Sequence, residues 1–210
     1  MLQLLTTKYN HPLEREYEAW IIRGIEDYFD SIDIKAKIFA VSPTIETDWP
    51  SDEVTAFNGK IVGLQFKQAK LGVGKLDFNR LKWTFGSPKG QFNLVLNSQE
   101  IYYCLPTFIN REIKKQALHH CLFWRPNTNS QKVAWYDNCG KRTLTKFCSL
   151  KDVSRWGYFV EEITRCNIGI NVTKDFSIKR YLVELRQKIS DFENEANIHG
   201  LYLIFIAART

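Results

Sequence analysis

The chain has 210 residues, 44% apolar and 25% charged, and its 29 Lys and Arg against 23 Asp and Glu give a net charge of +6. That apolar share supports a buried core and excludes disorder as the main state, while the longest apolar run, Leu201 to Ala208, is far too short for a membrane span. No basic lead-in or long apolar run opens the sequence, so no signal peptide is expected, and five cysteines without a C-x-x-C pair fit a reducing cytoplasm better than a disulfide scaffold.

The spacing predicts a helix over 13–29, opened by Pro12 and striped by Leu13, Tyr17, Trp20, Ile21, Ile25, Tyr28 and Phe29. A strand follows over 32–41 and a loop over 42–51. Runs at 52–57 and 60–69, joined by Asn58-Gly59, read as a hairpin, because both residues of that turn take positive φ readily. Helices are expected at 76–85 and 110–123, and strands at 92–97, 100–105 and 132–136. Another helix is expected over 153–165, a clear helical stripe runs from Ile178 to Phe192, and Leu201–Ala208 reads as a fully buried strand. The organisation expected is one α/β chain, with a core over 1–97 and residues 98–210 either continuing that domain or extending it.

Charge is uneven along the chain. Residues 1–70 carry 8 basic and 11 acidic side chains, 71–150 carry 12 and 4, and 151–210 carry 9 and 8. An acidic first third beside a basic middle suits a cation site next to a polyanion-binding surface.

A two-residue turn at Asn58-Gly59 sets Asp52 directly opposite Gln65. Alternation then puts Asp52, Gln65 and Lys67 on one face, and Glu53, Leu64, Phe66 and Gln68 on the other. A carboxylate and an amide oxygen are ligands for a hard ion such as Mg²⁺, and the lysine can balance charge on a phosphoryl oxygen or orient a water. The ordinary alternative is that Asp52 caps a strand and Lys67 is solvated.

On the first helix, at about 100° per residue, Glu14 and Glu18 fall inside the apolar arc while the other charged residues face away. A core-facing carboxylate costs free energy unless it is paired or binds a metal.

A helix bearing Tyr17-Glu18, a strand, Asp52, then Gln65-Phe66-Lys67 resembles the PD-(D/E)xK nuclease superfamily. The resemblance is to the Gln-x-Lys variant found in Mrr-type restriction endonucleases and antiphage defence nucleases, and it covers residues 13–97. It implies a restriction-endonuclease-like α/β core, a mixed sheet flanked by helices, with a C-terminal α/β extension. It also implies a Mg²⁺-dependent endodeoxyribonuclease in which Mn²⁺ substitutes. Asp52 would be the main metal ligand, Gln65 would stand for the family's second acid, the Phe66 carbonyl and Glu18 would complete the metal site, and Lys67 would be the catalytic lysine. Glu46, Asp48 and Glu53 are reserve ligands if the turn differs. DNA or RNA is the implied partner, with a homodimer or an activating partner protein as further expectations.

Gln65 brings no charge, which leaves open a non-catalytic nucleic-acid-binding or partner-dependent module that keeps the nuclease fold. Lys75, Arg80, Lys82, Trp83, Lys89, Arg111, Lys114, Lys115, Trp124 and Arg125 interleave cations with aromatics, as a nucleic-acid surface or an ordinary solvated face would. His119, His120 and Cys121 with Cys139 and Cys148 match no standard zinc spacing.

Overall fold

The computed structural model describes residues 11–41, 59–71, 80–86, 90–130, 132–137, 150, 152–173, 175–192 and 200–207. The expected first helix is α1, Glu14–Ser31, whose Tyr17, Glu18, Ile21, Ile25 and Phe29 are buried at the predicted spacing. It is followed by β1 (Ala36–Ala40) and β2 (Gly59–Phe66), then by two strands of a small sheet, β3 (Lys70–Leu71) and β4 (Arg80–Thr84). Helix α2 (Gln91–Asn97) leads into β5 (Ile101–Pro106), and a run of 3₁₀ turns over Arg111–His120 leads into β6 (Cys121–Trp124). β7 (Val133–Asp137), β8 (Ser154–Arg155), α3 (Trp156–Thr164), β9 (Ile170–Val172), α4 (Ile178–Phe192) and β10 (Leu201–Ala207) complete the described chain.

Seven strands form one mixed sheet in the order β1-β10-β2-β5-β6-β8, with β9 also paired to β2. β2 and β5 run parallel, and every other pair in this sheet is antiparallel. β3, β4 and β7 make a second, antiparallel sheet. One apolar cluster lies on the face covered by α1, with Tyr17, Ile21, Ile25 and Phe29 against Val62, Leu64, Phe66, Ile204 and Ile206. The other gathers Trp83 and Phe85 from the β4 region, α2, α4 and the opposite side chains of the large sheet. Strands from residue 36 to residue 207 thus share one sheet, across the 97/98 division drawn from the sequence. No helix among the described residues is long and apolar enough to cross a membrane.

Three expected elements differ. The helix placed over 76–85 is a strand where it is described: Leu81, Trp83 and Phe85 are buried, Thr84 is exposed and Lys82 is half-buried, which is period-two burial. The strand placed at 92–97 is α2, because parallel β2 and β5 need a crossover, and this helix supplies it with Phe92, Leu94 and Val95 facing inward. The helix expected over 110–123 stops at His120, and the apolar Cys121–Trp124 run joins the sheet as β6.

The Asn58-Gly59 hairpin is also not the pairing made. Gln65 lies between Leu201 on one side and Tyr103 on the other. Residues 59–65 pair with 201–207 along one edge of β2, and the other edge is taken by β9 and β5. The side-by-side arrangement of residues 52–57 with 60–65 therefore has no free edge to occupy. Residues 52–57 themselves, Asp52 among them, lie outside the described residues, as do Glu46, Asp48 and Glu53.

Candidate active site

The N-terminal turns of α1 stand over the end of β2, and β10 enters between β1 and β2 at the same place. Glu14 and Glu18 are one turn apart on α1, so their carboxylates project to the same side. Glu18 is only 7% exposed. Two close carboxylates repel, and the place of Glu14 in the first turn of the helix, where the backbone dipole favours negative charge, offsets part of that cost.

Each acid is held by a neighbour. Tyr202 on β10 donates its hydroxyl to Glu18 Oε2 at 3.1 Å. The Gln68 backbone N–H donates to Glu14 Oε2 at 3.0 Å, and Gln68 Nε2 donates to the Pro12 carbonyl at 2.9 Å. Gln68 has left the strand and ties the turn after β2 to the start of α1. The Tyr202 ring is fixed edge-on against Phe66, with centroids 5.5 Å apart. Burial and the Glu18 carboxylate push the Tyr202 hydroxyl up to about 12, so it stays a donor across the neutral range.

Gly200 marks the point on which these groups converge. It has φ +77°, and a Cβ there would lie 2.9 Å from Glu18 Oε1 and 3.4 Å from both Glu14 Oε1 and Gln65 Nε2. Only a residue without a side chain lets the backbone pass this close, and the Gly200 carbonyl accepts the Phe66 N–H at 2.8 Å. Gln65 is fully buried and donates from Nε2 to the Phe66 carbonyl at 3.4 Å.

Lys67, the next residue on the Gln65 side, is 6% exposed. Burial lowers its ammonium to about 8; nearby Glu14 opposes the shift and Lys70 adds to it. Glu16 points away from this group. Its carboxylate takes both Nε and Nη2 of Arg111, at 2.9 and 2.8 Å, and also accepts the Leu13 N–H, which together hold it down to about 2.

Of the residues singled out in the sequence, Glu18, Gln65, the Phe66 carbonyl and Lys67 come together here. Glu14 joins them; its place in the apolar arc was the signal for it. Gly200 and Tyr202 carried no such signal, being far along the chain from Glu18.

Two carboxylates and a backbone carbonyl are oxygen donors of the kind a hard divalent ion takes, whereas Gln65 turns its Nε2 to this point, so its amide must turn over to add an oxygen. Among the described residues no group of three His, Cys, Asp or Glu is placed to hold a metal, so the set depends on its neutral oxygens. Among the described residues the zinc candidates form no metal-holding group. Cys121 is buried with its thiol on the Ala117 carbonyl, His119 is exposed, and Cys139 and Cys148 lie outside the described residues. Compared with family models, with curated proteins and with solved structures, the chain matches none.

Proposed function

We propose that the protein is a Mg²⁺-dependent nuclease that hydrolyses phosphodiester bonds in DNA. The observation that carries this reading is the convergence of Glu14, Glu18 and Gln65 on Gly200 beside the buried ammonium of Lys67. Glu14, Glu18 and the Phe66 carbonyl are the groups that would hold the ion, joined by the Gln65 oxygen once its amide turns over, with Asp52 as the further ligand the family resemblance implies. Such an ion acidifies a water and neutralises charge on a phosphoryl oxygen. Tyr202 fixes the Glu18 carboxylate by holding Oε2. Lys67 Nζ is a cation at neutral pH whose proton leaves near pH 8, so it balances negative charge on a phosphate and can pass a proton to a departing oxygen. A cytoplasmic setting, a homodimer that cuts both strands, an activating partner and a role in restriction or antiphage defence are what the resemblance adds.

The test is cleavage of plasmid and of labelled oligonucleotides with Mg²⁺, Mn²⁺ or EDTA. Wild type should cut with either metal. Glu18→Gln, Asp52→Ala and Lys67→Ala should each lower the rate by about a hundredfold or more while the chain still melts cooperatively, the scale of loss seen when a group that stabilises transition-state charge is removed. A wild type that cuts neither DNA nor RNA with either metal overturns the reading. The neutral Gln65 favours a second reading, a nucleic-acid binder without turnover, and binding indifferent to EDTA and to Asp52→Ala would select it.

A further inference from the structure

Gln65 is the neutral member of the group around Gly200, and it turns its donor end toward the acids. A Cβ on Gly200 would lie 3.4 Å from Gln65 Nε2, 2.9 Å from Glu18 Oε1 and 3.4 Å from Glu14 Oε1, so the amide NH2 and both carboxylates face one point. The backbone of Gln65 is held in place, because β10 pairs with it at Leu201 and β5 at Tyr103. Its side chain is fully buried, and a buried amide dipole settles with its positive end toward negative charge. The NH2 thus does for Glu14 and Glu18 part of what a cation would do. Its bond to the Phe66 carbonyl, at 3.4 Å, is longer than the usual range of about 2.7–3.2 Å, so that bond is weak and readily given up.

The two ends of a glutamine amide have nearly the same shape, so half a turn exchanges donor for acceptor without repacking. That half turn does two things at once. It brings Oε1 to the point the acids face, and it takes Nε2 off the Phe66 carbonyl. One donor is traded for two neutral oxygens. We propose that Gln65 sets the metal affinity of the site through this exchange, its NH2 end balancing Glu14 and Glu18 when no cation is held and its oxygen end serving when Mg²⁺ is. The exchange rests on the nuclease reading for its cation. An incoming ion must replace the balance that the amide already supplies, and it gains no charge from Gln65, so it is held more weakly than by a third acid. Loading is thereby made conditional on the supply of the ion.

The first test is thermal unfolding in EDTA. Gln65→Glu swaps the donor for a third buried acid, which Lys67, close to Glu14, offsets only in part. Its melting temperature should fall by about 5 °C or more. Glu18→Gln/Gln65→Glu returns the group to its original charge and should recover most of that loss. In titration calorimetry, Gln65→Glu should bind Mn²⁺ about tenfold or more tightly than wild type does. In wild-type crystals soaked with Mn²⁺, the Gln65 amide should lie within bonding distance of the ion and no longer on the Phe66 carbonyl. A Gln65→Glu chain that melts and binds Mn²⁺ as wild type does overturns the proposal, as does a double variant that recovers nothing. Mn²⁺ held by the acids with the amide still on the Phe66 carbonyl overturns it too. If wild type cuts DNA in the face of any of these results, the nuclease reading stands without the exchange. If Mn²⁺ binds and turns the amide but neither DNA nor RNA is cut, the exchange stands without the chemistry. If wild type takes up no Mn²⁺, both fall.

Discussion

The Tyr202 hydroxyl donates to Glu18 Oε2, and that makes Tyr202 open to a narrow test. Tyr202→Phe keeps the ring against Phe66 and removes only the donor to Glu18 Oε2. Loss of one such hydrogen bond should cost about 1 kcal/mol of stability. The affinity for Mn²⁺ by titration calorimetry should fall about tenfold, as it does when a group orienting a metal ligand is removed. An unchanged Mn²⁺ isotherm would mean that the hydroxyl serves packing alone. Gly200→Ala should do more harm. It forces a side chain into positive φ and into Glu18 Oε1, so a loss of about 2 kcal/mol or more is expected in chemical denaturation. Helical periodicity alone put Glu14 and Glu18 in the apolar arc, and strand parity alone put Gln65 with Lys67. The partners that complete the group are 184 positions away from Glu18 in the case of Tyr202, and no local pattern encodes that distance.

Among the elements, α1 is held at its start by the Glu16–Arg111 pair, which fastens it to the 3₁₀ segment. Glu16 titrates lower folded than unfolded, so its contribution is complete above about 4.5 and fades as pH falls toward 2. Arg111→Gln should therefore lower the melting temperature at pH 7, with about 1 kcal/mol lost for a half-exposed bidentate pair. The difference from wild type should shrink steadily below pH 4.5 and vanish near pH 2. A difference independent of pH would assign the effect to lost packing. α1, α4 and β10 were legible because each carries a long, one-sided apolar pattern. β4 was misread because Leu76 to Phe85 also satisfies a helical spacing, and only burial of alternate residues decides the case. α2 was misread because its need is topological: two parallel strands require a crossover that nothing within Phe92–Asn97 announces.

For the molecule as a whole, the decisive feature is β10 lying between β1 and β2. Leu201, Leu203, Ile204, Phe205 and Ile206 are all buried there, feeding both apolar clusters. At roughly 1.5–3 kcal/mol for each large apolar side chain, that strand carries as much as the 5–15 kcal/mol net stability of a typical domain. A chain ending at Asn197 should accordingly lack cooperative melting and the near-ultraviolet circular dichroism of packed aromatics. A well-folded truncated chain would show that β1 and β2 can close without it. The unbroken apolar run over 201–208 marks a buried strand, but its place in the sheet is a long-range pairing that composition leaves undetermined. The uneven charge acquires a spatial meaning at this scale, because the acidic N-terminal turns of α1 and the opposed Lys70 and Lys82 of β3 and β4 meet around the turn after β2.

Because Gly200 and Tyr202 enter the structure with this late strand, the group at Gly200 has a place in time as well as in space. On a translating ribosome, Glu14, Glu18, Gln65 and Lys67 all emerge well before residues 200–207, and until those residues are free to dock, Glu18 lacks the hydroxyl that orients it. A nascent chain therefore carries the acids and the lysine without their assembled geometry until residues 200–207 have emerged and docked.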